Sequence, residues 1–197
     1  MTILSVLGIL TASYLIGSIP MGLISVKVMT GKDIRDIQSG RTGGTNAMRA
    51  AGFGVGLFTA ITDIAKGAAS VWLARYFSGN HWVEILAPTM AILGHNYSIY
   101  LISRDENGRI KWHGGAGGAP SLGGAVGFWW PSFFILVPVG ALILFGIGYA
   151  SVTTMSLPII ASIIFAYRAW LGYSPWHYVL YGLLAEVLLI WALRPNL

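Results

Sequence analysis

The sequence predicts an all-α, polytopic integral membrane helical bundle formed as a single domain over residues 1–197. Three observations carry this. Hydrophobic residues make up 55% of the chain and charged ones only 10%, and the mean hydropathy of +0.70 lies outside the range of soluble domains. Apolar stretches long enough to cross a bilayer recur along the chain. The basic residues gather in two loops, Lys27, Lys32, Arg35, Arg41 and Arg49 in one and Arg104, Arg109 and Lys111 in the other. Such clustering marks the cytoplasmic side of an inner (plasma) membrane protein. No nucleic-acid module is visible behind the net charge of +5, so nucleic acid is not an expected partner. The absence of cysteine excludes disulfides, Cys-ligated zinc, iron–sulfur centres and thiol nucleophiles.

The first apolar run covers residues 2–26, with no basic stretch ahead of it and no small-residue cleavage site. It reads as a span and not as a removed signal peptide. Gly17-Ser18-Ile19-Pro20 within it should kink the helix and free backbone groups that need a partner at that depth. The polar loop 27–51 follows, rich in Ser39, Thr42, Thr45 and Asn46. Thr45 or Asn46 would cap a short helix running to Arg49, whose fork of donors suits a phosphate. The plainer alternative is a solvated loop whose charges set topology. The second span, 53–74, carries Asp63 and Lys66, three apart on one face and able to pair. Each would cost about 2.5–3.5 kcal/mol facing lipid at the bilayer centre, so both should face the bundle interior or a wet cleft. A short outer loop with Arg75 and His81 leads to a third span over 83–102, with His95 deep in its second half. With no second His near by and no Cys, no metal site is expected.

Residues 111–124 read KWHGGAGGAPSLGG. Glycines at 114, 115, 117, 118, 123 and 124 let backbone N–H groups converge on a phosphate or another oxyanion. If 119–122 open a helix, its N-terminus adds a favourable dipole end. The alternative is a Gly-eased turn between two packed membrane helices. Apolar sequence then runs over 119–166, punctuated by Pro131, Pro138, Gly148 and Pro158. A break at Tyr167-Arg168 and a polar turn over 173–177 precede the last span, 178–193. Tryptophans 129, 130, 170, 176 and 191 sit near predicted span ends, as an aromatic belt would. No internal repeat supports an inverted-repeat transporter.

From Gly17 onward the chain resembles the acyl-phosphate-dependent glycerol-3-phosphate acyltransferases of bacteria, the PlsY family. GSIPMG and GKDIRDIQSGRTGGTNAMRAAG are similar to the family's GSIPxG and DIRxxGSGNxGATNxxRxxG. Asp63-Ile64-Ala65-Lys66-Gly67 follows the family's DxxKG, Gly94-His95 follows in order, and HGGAGGAPSLG stands where the family reads KGGKGxATSLG. Arg194-Pro195-Asn196-Leu197 looks like the start of the final motif, HRxNxxRLxxGxE. The departures are equally specific. The lysine of GGKG is Ala116, the lysine before it is His113, the threonine is Pro120, the asparagine after Ser-Gly is Arg41, and the final histidine is Leu193.

The resemblance implies transfer of a fatty acyl group from acyl phosphate to the 1-hydroxyl of glycerol 3-phosphate, giving lysophosphatidic acid and phosphate for phospholipid synthesis. It implies no cofactor and no metal. The implied partners are the two substrates, membrane lipid and the acyl-phosphate-forming enzyme. Gly114, Gly115, Gly117 and Ser121 would bind the acyl-phosphate phosphoryl group. Ser39, Thr45, Asn46 and Arg49 would hold glycerol 3-phosphate, with Asn196 as a further contact; Ser39, Arg49 and Asn196 form the catalytic set. Asp63, Lys66 and His95 would orient these loops or add charge. Arg41, Lys111 and His113 are the candidates to replace the charge absent at Ala116. The departures also motivate a competing reading, a relative with an altered substrate or a non-catalytic one that binds lipid or partner enzymes. Loops 27–51 and 103–118 and Asn196 must share one compartment to form one site. An even number of crossings is then needed after residue 118. Four are expected, with Pro131 or Pro138 marking one break, for seven spans in all, N-terminus outside and C-terminus inside.

Overall fold

In a computed structural model the chain is described over residues 1–194 and holds nine α-helices and one short β-hairpin. Helices α1 (Ile3–Ser18) and α2 (Met21–Thr30) are one apolar run broken at Ile19-Pro20. The break has the partners that its depth requires. The Ser98 hydroxyl donates to the Ser18 carbonyl at 2.6 Å, and the Lys66 ammonium donates to the Ile19 carbonyl. Then come α3 (Gly44–Ala51), α4 (Phe53–Ser78) and α5 (His81–Asn96). Gly43 occupies the N-cap of α3 and makes no side-chain cap bond, so Thr45 and Asn46 lie inside the first turn and do not cap it.

Helix α5 stops at Asn96, short of the expected 102, because the Ser98 N–H is claimed by the His113 carbonyl at 3.1 Å. An antiparallel hairpin follows, β1 (Ser103–Arg104) against β2 (Ile110–Lys111). Asp105 Oδ1 accepts the N–H groups of Asn107 and Arg109 at 2.9 and 2.8 Å, and Gly108 takes φ +74° to close the turn.

Four helices complete the chain: α6 (Gly118–Phe128), α7 (Phe133–Ile147), α8 (Ala150–Trp170) and α9 (His177–Leu193). The first break among them is a 3₁₀ turn, Trp130–Ser132, holding Pro131, while Pro138 stays inside α7. Helix α8 runs unbroken through Tyr167-Arg168. It ends instead near Gly172, which takes φ +77°, with the Tyr173 N–H reaching back to the Arg168 carbonyl at 2.8 Å. Among the described residues, four stretches are long and apolar enough to cross a membrane: Ile3–Thr30, Phe53–Ser78, Trp130–Ile147 and Ala150–Trp170. Helices α5, α9 and α6 are shorter, at 16, 17 and 11 residues. Length leaves the seven crossings an expectation.

Helix α6 is the central post, packed by α4, α5, α8 and α9. Its Leu122, Ala125 and Phe128 join Ile92, Phe165, Tyr181 and Leu189 in the main core. Large apolar side chains such as Phe134, Leu142 and Phe145 of α7 point outward, the surface a bilayer requires. At the end of the bundle where α9 begins, the Tyr178 hydroxyl donates to the buried Glu84 at 2.7 Å, with Arg75 3.5 Å from the same carboxylate. The Arg168 guanidinium lies 4.0 Å over the Trp129 ring at that end. These charges are thus paired or stacked where they meet apolar surroundings.

Candidate active site

A cavity of about 460 Å³ opens at the opposite end of the bundle. Its polar side is built by loop 31–43 and α3, its floor by the start of α6, and its apolar wall by Phe53, Leu57 and Ala60 of α4. Ala150, Ser151 and Thr154 of α8 close the far side. Phe53 and Leu57 are exposed on the outer face of the bundle, so the apolar wall meets the surface that faces lipid.

Two helix N-termini meet here. Gly43, Gly44 and Thr45 open α3, and Gly117, Gly118 and Ala119 open α6, all of them lining the cavity. The first N–H groups of a helix have no intrahelical acceptor and carry its positive dipole end. In α6 the first intrahelical bond is that of the Ser121 N–H to the Gly117 carbonyl, at 3.0 Å. Pro120, in the first turn, has no N–H to lose. Gly117 takes φ +89°, which glycine adopts at little cost, and so the loop can turn into the helix at this point.

The permanent cations among the lining residues are Arg41 and Arg49. Arg41 donates to the Gly115 carbonyl at 3.2 Å and to the Ala192 carbonyl of α9 at 2.7 Å. Arg49 lies on the exposed face of α3. Ser39 follows Gln38, which sits at φ +44°, a left-handed conformation that a non-glycine residue holds only against some strain. Asp63 also lines the cavity. Its Oδ1 pairs with Lys66 at 2.7 Å and lies 3.6 Å from His95 Nδ1, and its buried Oδ2 has no protein partner. Outside the membrane segments, Asp33 is held down to about 2 by the hydrogen-bonded Arg35 side chain. Burial together with Lys111 and Arg35 pushes His113 below the usual histidine range.

Asn46 is buried and organises the loop that carries Ser39 and Arg41. Its Nδ2 donates to the carbonyls of Ile34, Ile37 and Arg41 at 3.2, 3.0 and 2.9 Å. Asn46→Ala should therefore cost about 1–3 kcal/mol, the cost of orphaned buried acceptors, and open loop 31–43 to protease. Thermal unfolding and limited proteolysis read both effects; unchanged cleavage would show that the loop holds itself.

Of the residues expected at the site, Ser39, Arg41, Thr45, Asn46, Arg49, Asp63, His95 and Gly117 line this cavity. Lys66, Gly114, Gly115 and Ser121 do not. Lys66 turns toward the α1–α2 break. The Ser121 hydroxyl donates to the Gly118 carbonyl at 2.8 Å. The Gly115 N–H donates to the His95 carbonyl at 2.8 Å, and the Gly114 carbonyl accepts the Thr42 N–H at 3.1 Å. A Cβ at Gly114 would overlap the carbonyls of His95 and Asn96, and one at Gly115 the His95 ring, so these two glycines seat the loop on α5. Asn196 lies outside the described residues. Ser151 and Thr154 were not anticipated; small hydroxyl residues at the start of an apolar helix carry no signal that sets them apart.

The cavity is thus walled by the same segments that carry the quoted motifs. A family model described as glycerol-3-phosphate acyltransferase matches residues 7–197. The chain belongs to the glycerol-3-phosphate acyltransferase family. Relatives of that description from Gloeobacter violaceus and Thermus thermophilus are 33% and 34% identical, over 97% and 95% of this chain and 89% and 87% of theirs. A crystal structure of PlsY (YgiH), an integral membrane glycerol 3-phosphate acyltransferase, in its glycerol 3-phosphate form gives a TM-score of 0.81 at 26% identity. That match covers 98% of this chain and 90% of the other. The lysophosphatidic acid form gives 0.74 at 26% identity, covering 98% and 89%. The expected multi-pass helical membrane fold and the expected enzyme family are both met. Among the described residues no group of His, Cys, Asp or Glu is placed to hold a metal ion.

Proposed function

We propose that this chain transfers a fatty acyl group from acyl phosphate to the 1-hydroxyl of glycerol 3-phosphate, at the cytoplasmic face of the bacterial inner membrane. One observation carries the reading. Two helix N-termini and two arginines converge on a cavity whose other wall is apolar and exposed where lipid would lie. Two phosphorylated substrates repel one another, and positive groups offset this only where they are close and partly shielded from water.

In this reading Ser39, Thr45 and Arg49 at α3 hold glycerol 3-phosphate, and Gly117 to Ala119 at the start of α6 hold the phosphoryl group of the acyl phosphate. The acyl tail leaves along Phe53 and Leu57. The glycerol hydroxyl oxygen forms a bond to the acyl carbon, and the carbon–oxygen bond to phosphate breaks. Its electron pair leaves with phosphate, and the hydroxyl proton passes to a phosphate oxygen. Acyl phosphate is already activated, so positioning and oxyanion stabilisation account for the rate. The enzyme that forms acyl phosphate is the natural partner, because the donor must be delivered to this cavity.

The test is phosphate release by the purified protein in lipid, with palmitoyl phosphate and glycerol 3-phosphate. Release is expected to depend on both substrates and to fall about tenfold to a hundredfold in Arg49→Ala, the loss of one charge-assisted pair. A folded protein that releases no phosphate would favour the non-catalytic reading.

A further inference from the structure

We infer that Arg41 supplies the positive charge at the leaving-phosphate subsite in place of a cation on the Gly-rich loop, while bracing that loop against the last turn of α9. The inference rests on the acyl-transfer reading above and assigns one charge within it.

The cavity needs a cation beside the start of α6, where charge develops on the departing phosphate. Residue 116 lines the cavity there, and it is alanine. The other cations of this segment are placed elsewhere. Lys111 belongs to the exposed hairpin strand β2 and does not line the cavity. His113 is outside the lining as well, its Nε2 lying 2.9 Å from the Ser103 hydroxyl. Arg49 stands on α3, on the acceptor side. That leaves Arg41, whose guanidinium is one hydrogen bond from the carbonyl of Gly115, the residue next to Ala116.

The guanidinium is suited to both tasks. It has five N–H donors in a planar fork. One bond goes to Gly115 and one to Ala192, and the remaining donors are available to an anion. The Ala192 carbonyl lies in the last turn of α9, where helix carbonyls have no intrahelical donor. A cation there also meets the negative end of the helix dipole. The two departures in the motifs, asparagine to Arg41 and lysine to Ala116, therefore fall on one cavity and offset each other. The charge has crossed the cavity and has not been deleted.

Steady-state kinetics on the purified protein in lipid test this, with acyl phosphate and glycerol 3-phosphate varied separately. Arg41→Asn should raise KM for acyl phosphate about tenfold or more while moving KM for glycerol 3-phosphate less than about threefold. Adding Ala116→Lys to Arg41→Asn should bring KM for acyl phosphate back to within about threefold of wild type. A lysine at 116 leaves residue 41 without its bonds to Gly115 and Ala192, so this rescue reads charge at the subsite and not the bridge from loop 31–43. An unchanged KM for acyl phosphate in Arg41→Asn overturns the inference, as do equal rises for both substrates or a folded double variant without rescue. If Arg41→Asn does not fold, Arg41→Lys replaces it, keeping the charge and losing the planar fork of donors. There, a KM for acyl phosphate near wild type supports the assignment, and a rise for both substrates overturns it. A wild-type protein with no phosphate release overturns the acyl-transfer reading, and the inference with it; an active wild type with an indifferent Arg41 overturns only the inference.

Discussion

Lys66→Met should destabilise the protein by about 3–5 kcal/mol, the cost of stranding one member of a buried ion pair. The Lys66 ammonium lies 2.7 Å from Asp63 Oδ1, and the two side chains are only 7% and 1% exposed. Among the described residues, Asp63 Oδ2 lacks a partner, and the other basic group in its salt-bridge range is the His95 ring at 3.6 Å. Removing the ammonium leaves a carboxylate in the bundle interior with little to balance it. It also removes one of two donors to the Ile19 carbonyl at the α1–α2 break, leaving the Met21 N–H at 3.0 Å. Asp63→Asn combined with Lys66→Met removes both charges and should recover most of the loss. A residue of about 0.5–1.5 kcal/mol should remain for the one hydrogen bond lost at the Ile19 carbonyl, which keeps the Met21 N–H. Thermal unfolding in one lipid environment measures the three proteins. A double variant as unstable as the single one would show that the pair is not what stabilises this region.

That pair was legible in the sequence for a definite reason. Asp and Lys three apart in an apolar helix have few affordable places other than a bundle interior, and the structure puts them there. The α1–α2 break was legible because proline removes a donor, but the choice between Pro131 and Pro138 was not, since Pro138 stays inside α7 and only Pro131 marks a turn. Contacts between distant segments were not legible either. The glycine at 114 and that at 115 look like a phosphate cradle along the chain, yet the space they leave is filled by the last turn of α5. Asn46 looked like a cap or a ligand, and its amide instead gathers three carbonyls of the preceding loop. The hairpin was missed although Asp105 and Gly108 are ordinary turn residues, since strands of two residues leave no periodicity to read. The site itself was half legible. Motif order placed eight of the expected residues on one cavity, but only the fold shows that two helix N-termini point into it.

Gly67→Val should be the most damaging single change, leaving little folded protein. At this residue α4 and α6 cross backbone to backbone. A Cβ on Gly67 would overlap the Pro120 carbonyl and lie 2.8 Å from the Gly124 nitrogen. From the other side, one on Gly123 would overlap the Ile64 carbonyl. Overpacking against side chains typically costs about 1–3 kcal/mol because rotamers can yield. Here the obstacles are main-chain atoms of a helix that is itself fixed, its Ser121 carbonyl accepting the Tyr181 hydroxyl at 2.8 Å. Valine adds two further methyl groups, so α6 must move as a unit. Any shift of α6 carries Gly117 to Ala119 with it, and these line the cavity. Gly67→Ala should accordingly fold with reduced stability and show a raised KM for acyl phosphate. Gly8→Ala, at a helix position with nothing within 4 Å, should be neutral or should stabilise by up to about 1 kcal/mol. Unfolding midpoints and kinetics of the three variants test the ranking. A Gly67→Val protein that folds and turns over like wild type would mean that α6 can slide on α4 without disturbing the site, and the central post would then not be what holds the phosphate end in place.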